Sequence, residues 1–274
     1  MRSFFEERAV DLVLLVLGVV IVGPFIWMAL SSLKTAQEIA AQPLVWLPHI
    51  PQWANFSYAI SKLNFGQLFV NSLLVSTVNA TAVVLTSALS GYALAKFVFP
   101  GRGLIFILAL STMMVPFFIK LIPVYYIVKT LGWVNSYLGL MVPHFVTGFG
   151  IFLMRQAAIS VPDSLLDAAR IDGCSEFRIF WQIVLPLVKP SLATLAVFSF
   201  MYHWDDFLWP MIIISKESLM TIPIGLNRLW NPSSIIDYNL MMAGATLAVI
   251  PVLIVFIMAQ KYFVKGVMMS GIKG

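Results

Sequence analysis

Apolar positions in this chain fall in long unbroken runs, with the charged positions gathered between them. Residues 12–30, 63–95, 103–119, 130–154 and 238–260 contain no Asp, Glu, Lys or Arg. A sixth run, 190–214, is interrupted only by Asp205 and Asp206. A helix that crosses a bilayer needs about 20 consecutive apolar residues. The pattern therefore predicts six transmembrane helices, near 10–32, 68–95, 103–127, 137–155, 190–213 and 240–261. Strands of a membrane barrel would instead show segments of about 10 residues with alternating polarity. In lipid, a continuously apolar segment satisfies its backbone within itself, as a helix. Pro24, Pro116, Pro123, Pro143, Pro210 and Pro251 fall inside these spans and are expected to kink them. The first run is longer than a signal-peptide core, so a retained helix is expected.

Composition agrees with this division. Sixty per cent of the 274 residues are hydrophobic and 11% are charged, against about 25% charged in a soluble domain. Six spans put both termini on one side. That side carries Arg2, Arg8, Lys96, Arg102, Arg155, Arg170, Arg178, Lys189, Lys261, Lys265 and Lys273. The other carries Lys34, Lys62, Lys120, Lys129, Lys216 and Arg228. The richer side, with both termini, is expected in the cytoplasm of a multi-pass membrane protein. The net charge of +5 is explained by anchoring beside anionic lipid and calls for no nucleic acid. Cys174 is the single cysteine. No His/Cys/carboxylate cluster has metal-ligand spacing, no nucleophile–base pair is visible, and Gly101-Arg102-Gly103 is too short for a phosphate loop. The pattern does not describe an enzyme.

The most informative stretch between spans is 156–189, the one large loop on the cytoplasmic side. Ser160 with Asp163 suggests a variant capping box, and Pro162 suits a first helical turn. Gly173 is expected to end that helix in a left-handed conformation. Ser175 starts a second short helix, which Pro186 is expected to stop. Leu165, Leu166, Ala169, Phe177, Phe180, Trp181 and Val184 are too many apolar residues for a solvated loop. They must pack on this chain's own helix ends or on a partner.

Asp167-Ala168-Ala169, three residues, Gly173, nine residues, then Ile183-Val-Leu-Pro186 resembles the signature loop of ABC importer permeases, with Asp167 where that family usually has Glu. Trp204-Asp-Asp-Phe-Leu-Trp-Pro210, Asn135-Ser-Tyr-Leu-Gly-Leu140, Pro116, Pro123 and Tyr262-Phe-Val-Lys-Gly266 extend the likeness to carbohydrate importers of the maltose type, and to the shorter permease of such a pair. The resemblance implies an all-α type I importer fold forming one transmembrane domain, 1–274, with 156–189 as its coupling loop. It implies a heterodimer with a second permease, two ATPase subunits that hold the ATP and Mg, and an extracytoplasmic sugar-binding protein. This chain itself would bind no cofactor. Leu165, Asp167, Ala168, Ala169, Arg170, Gly173, Phe177 and Pro186 would then form the ATPase contact. Asp167 and Arg170 would supply charge at its rim, and Leu165 and Phe177 apolar plugs.

Asp205 and Asp206 lie within a span, where a carboxylate is costly unless it faces water or a partner. They are read either as pathway-lining groups or as partners of a basic residue or caps of a kink at Pro210. Trp204 and Tyr126 are further pathway candidates, Trp209 an interfacial anchor. Asn71, Asn79, Tyr92, Tyr125, His144 and His203 are weaker lining candidates, each read first as a helix–helix hydrogen bond. The expected function is import of a neutral sugar or oligosaccharide, with another solute such as glycerol phosphate as the alternative. A stand-alone secondary transporter is the rival class. The outer segment 214–239 is expected to meet the binding protein, and the basic tail 262–274 to lie on lipid or between the ATPases.

Overall fold

The computed structural model describes residues 2–229 and 238–271. Every regular element among them is helical. Besides two single 3-10 turns, Val142–His144 and Glu217–Leu219, these are in chain order α1 (Arg2–Ser32), α2 (Ala36–Ala40), α3 (Ala54–Lys62), α4 (Phe65–Lys96), α5 (Arg102–Met114), α6 (Phe117–Thr130) and α7 (Tyr137–Met141). There follow α8 (Gly148–Ile159), α9 (Asp163–Ile171), α10 (Glu176–Leu187), α11 (Lys189–Trp204), α12 (Leu208–Ile213), α13 (Ile222–Asn227) and α14 (Tyr238–Gly271).

Three segments are long and apolar enough to cross a bilayer unbroken: Val10–Ser32, Phe65–Lys96 and Tyr238–Met258. Three bent pairs have comparable combined length, and counting each as one span gives six. Their positions correct two of the expected boundaries. The third span is not one helix: α5 and α6 meet at 106°. Val115 is extended there (φ −83°, ψ 115°) because the ring of Pro116 disfavours a helical residue before it. The fifth expected helix, 190–213, ends at Trp204 and resumes at Leu208. At its other end α11 turns by 80° from α10. The tail also differs from expectation, since the α14 backbone runs to Gly271. Lys273 and residues 230–237, the heart of the second outer segment, lie outside the described residues.

Contacts divide the chain into two units. The first comprises 2–66 and 225–251. Its large apolar side chains from Val10 to Ile21 are each more than half exposed, as an all-round apolar helix in lipid requires. The segment after α1 folds back on that helix end. Asn55 donates to the carbonyls of Ser32 (2.8 Å) and Lys34 (2.9 Å). The fully buried Lys34 ammonium donates to Val45 O at 2.7 Å and lies 3.8 Å over the Trp27 ring.

The second unit, 67–224 with 252–271, has two apolar cores. One joins Val83, Ala88 and Tyr92 of α4 to Met154, Leu166, Ile179, Phe180 and Val184. The other gathers Val75, Val128, Leu140, Trp209 and Ile213. Helices α4 and α8 cross closely because they meet at glycines. A Cβ on Gly91 would lie 2.7 Å from the Arg155 nitrogen, and one on Gly150 would overlap Ser87 Oγ.

Candidate functional site

The expected helix–turn–helix at 160–188 is present, with its ends built differently from the expected pattern. Ser160 does not cap α9; it ends α8 and its hydroxyl donates to Ala157 O at 2.8 Å. Pro162 occupies the cap position, and the first helical residue, Asp163, accepts from Lys96 Nζ at 2.7 Å. Gly173 does end α9, at φ +81°. Its N–H donates to Arg170 O (3.0 Å) and the Cys174 N–H to Ala169 O (2.9 Å), the paired bonds of a Schellman ending. Ser175 caps α10 by accepting from the Arg178 N–H. Pro186 does not stop α10, which continues to Leu187. A wider π turn over Phe180–Val184 absorbs the proline, with Leu185 N–H bonded to Phe180 O.

The apolar residues of the loop divide cleanly. Leu166, Ala169, Ile179, Phe180 and Val184 are buried in this chain. Ala169, expected in the ATPase contact, is therefore committed to internal packing, while Ala168 is exposed. Leu165, Ile171, Phe177 and Trp181 remain exposed, Ile171 by 87% and Phe177 by 69%. Phe177 and Trp181 stand edge to face at 5.9 Å. This is an apolar surface on two short helices, each anchored from behind.

Arg170 is committed within the loop. Its guanidinium donates to Glu176 Oε1 at 2.6 Å and to Asp167 Oδ1 at 2.7 Å. Glu176 also accepts from the Tyr92 hydroxyl at 2.9 Å. The Glu176 bonds, and then those to Asp167, push the Arg170 pKa up, while Arg170 holds the Glu176 carboxyl below its usual range. Glu176 was not among the residues expected to matter. Its position directly after the capping Ser175, six residues from Arg170, is the one sequence signal for it.

The second candidate region is the break after α11. Asp205 lies at the end of that helix, with its N–H on Met201 O at 3.1 Å. An Asp206 side-chain oxygen accepts from the Trp209 N–H at 3.3 Å, in the first turn of α12 and one residue ahead of its cap position, Phe207. That bond is of the kind the cap reading expects of Asp206, and it leaves the pathway reading untouched. Trp204 is 2% exposed, stacked on Phe200 at 5.6 Å and in T-shaped contact with Phe69 at 5.9 Å, so its ring is part of the packed interior. Trp209 is 1% exposed and donates to Gly139 O at 3.0 Å, a core role and not the expected interfacial one. Tyr126 lies elsewhere, exposed on α6 beside Tyr125. The structure brings His144 and His203 together at 5.1 Å, with Trp209 at 5.8 Å from His144. Asn79 is fully buried on α4.

The family described as "Binding-protein-dependent transport system inner membrane component" matches residues 87–269. The arabinooligosaccharides transport system permease protein AraQ of Halalkalibacterium halodurans is 36% identical over 256 residues, covering 92% of this chain and 91% of that protein. The sn-glycerol-3-phosphate transport system permease protein UgpE of Yersinia pestis bv. Antiqua is 34% identical over 277 residues, covering 97% and 98%. A solved structure of a bacterial ABC transporter involved in the import of the acidic polysaccharide alginate has a TM-score of 0.83 at 24% identity, over 96% of this chain and 98% of that one. A structure of the alginate transporter in complex with its alginate pentasaccharide-bound periplasmic protein has a TM-score of 0.63 at 15% identity, over 94% of each chain. At these identities the structural likeness bears on fold alone, and it agrees with the all-α permease architecture.

Proposed function

This chain belongs to the family of binding-protein-dependent transport system inner membrane components, and we propose that it imports a neutral sugar or oligosaccharide as the shorter of two permeases. It is a transport subunit of an ATP-driven importer, not an enzyme. The observation that carries the assignment of its working surface is the exposed apolar patch of Leu165, Ile171, Phe177 and Trp181. The helices bearing it are held rigidly by Gly173, Arg170 and Glu176. A separate ATPase, carrying ATP and Mg, docks there. The positive-inside distribution supports a cytoplasmic position for this loop and for both termini. A second permease completes the translocation path, and a sugar-binding protein delivers substrate to the opposite side.

The carbohydrate relative AraQ supports a sugar. Asp205 and Asp206 support a neutral one, because a carboxylate accepts hydroxyl hydrogen bonds and repels phosphate in a low-dielectric setting. The relative UgpE favours glycerol phosphate as the second reading, and Lys120 on α6 is the basic residue that would serve it. The test is uptake by the reconstituted importer of paired neutral and phosphorylated substrates. Strong uptake of the phosphorylated compound would overturn the neutral-sugar reading. Copurification with an ATPase, and transport lost on ATP depletion but kept without a proton gradient, checks the importer class.

A further inference from the structure

We propose that α4 is the rod that carries a signal between the outer 214–222 segment and the coupling loop, and that Asn71, Tyr92 and Lys96 are the positioning residues that fasten its two ends. The proposal rests on the assignment of the loop to ATPase docking and of the outer segment to the binding protein.

Among the described spans α4 alone is both unbroken and free of proline. Helix α1 contains Pro24, α14 contains Pro251, and the other three spans are bent pairs. Its 32 residues give a length of about 48 Å at 1.5 Å per residue, well beyond the ~30 Å of the hydrocarbon layer. Sharp bends occur at prolines and at breaks in the hydrogen-bond ladder. A helix with neither moves as one body, whereas a broken one yields at its joint.

Both ends are fastened by directional polar bonds. At the first, the fully buried Asn71 amide donates to Ser218 O at 2.9 Å and to Met220 O at 2.8 Å. Its oxygen accepts from the Tyr137 hydroxyl at 2.7 Å and from Gln67 at 3.0 Å, so both donors and both lone pairs are used. One residue on, Ser72 Oγ accepts from the Ile222 N–H at 2.8 Å. These bonds fix the register between α4 and the 218–222 backbone.

At the other end, the last two turns of α4 hold the first residue of each short helix. Lys96, whose side chain is 6% exposed, donates to Asp163 Oδ1 at 2.7 Å and to Val161 O at 2.6 Å. The Tyr92 hydroxyl donates to Glu176, and Glu176 in turn holds Arg170. Asp163 opens α9 and Glu176 opens α10. A push on the apolar patch therefore reaches α4 through two charged hydrogen bonds as well as through packing.

The test uses the whole complex in lipid nanodiscs with its ATPase, second permease and binding protein. Three quantities are measured: ATPase captured on purification, basal hydrolysis, and stimulation of hydrolysis by loaded binding protein. Tyr92→Phe removes one hydroxyl and Asn71→Leu one amide; Tyr137→Phe replaces the latter if the yield of complex falls. Capture and basal hydrolysis are expected to stay at wild-type levels, while stimulation falls about five-fold or more, a typical coupling loss between two sites. The double variant is expected to be no worse than the more severe single, because either cut severs the same rod. Normal stimulation in both singles, or a double loss equal to the product of the singles, overturns the proposal. Phe177→Asp serves as the separate control: normal ATPase capture by that variant would sink the docking assignment, whatever Tyr92→Phe does.

Discussion

The coupling loop and the break after Trp204 are both places where helices stop, and they stop for opposite ends. In the loop three helix ends are tied down: one by the Schellman bonds at Gly173, one by the Ser175 cap, and one by Asp163 on the distant Lys96. The result is a rigid frame that leaves Ile171, Phe177 and Trp181 uncovered. At the break, the large aromatic rings Trp204 and Trp209 are buried, and the carboxylates Asp205 and Asp206 are set at the joint. One region ties its exposed charges into ion pairs and leaves apolar surface uncovered. The other hides its aromatics and keeps two carboxylates at a bend within the membrane. The first arrangement suits a partner that supplies force, the second a path that polar solute passes.

The comparison breaks most visibly if the exposed apolar patch is dispensable. Phe177→Asp combined with Ile171→Asp is expected to reduce ATPase capture by about ten-fold or more, as expected for central apolar anchors of an interface. Because both residues are exposed, the melting temperature of the isolated permease should hardly change. Unaltered capture would remove the docking role. Trp209→Ala is expected to do the reverse. Truncating a fully buried tryptophan costs about 3–5 kcal/mol, so thermal unfolding of the permease should fall steeply. If Trp209→Ala leaves stability intact, the ring is not the core element described above.

Gly173→Val sharpens how the loop frame is made. A Cβ there meets nothing within 4 Å, so the penalty is the left-handed backbone alone, about 1–3 kcal/mol for a β-branched residue. A modest fall in ATPase capture with inserted helices is expected. Capture equal to wild type would show that the turn does not set the spacing of the two helices.

How much of this was legible in the sequence follows the same divide. Gly173 and Ser175 act through bonds to residues within a few positions, so spacing alone revealed them. Ser160 misled because Pro162 could take the cap position while Lys96, distant in sequence, claimed Asp163. Pro186 misled because a π turn upstream can absorb a proline, which only tertiary packing of Phe180 and Val184 decides. The 106° bend at Pro116 has a local cause, yet its size depends on what α6 packs against. Trp204 and Trp209 carried no signal separating core from pathway, since burial depends on Phe69 and Gly139 from other segments as well as on Phe200 one turn back in α11. Glu176 was overlooked because its importance lies in Tyr92, 84 residues away.

Asp206→Asn tests the break itself at moderate scale. Asparagine is as good a helix cap as aspartate, so α12 should keep its start while the charge disappears. A several-fold fall in transport of the neutral sugar, with unchanged thermal stability, is expected if the carboxylate meets substrate. Wild-type transport would leave Asp206 a cap and nothing more. Asp205→Asn, at the more exposed position, is the matched comparison and is expected to do less.

The smallest effect is expected from protonating the loop brace. Arg170, then Tyr92, hold the Glu176 carboxyl below its usual pKa. A carboxylate depressed in the folded state contributes stability that is present above its unfolded value, near 4.3, and is lost as pH falls through the folded value. Between pH 7 and pH 5 the brace should therefore be constant. Below about pH 4 it should weaken, as Glu176 gains a proton and its bonds to Arg170 lose their charge. Glu176→Gln is already without that charge, so its melting temperature should lie slightly below wild type at neutral pH and converge with it in acid. Because Glu176 and Arg170 are substantially solvent-exposed, the gap at neutral pH is expected to be small. A wild-type minus variant difference that stays flat from neutral pH into acid would mean that the Glu176 charge does not hold the two helices together.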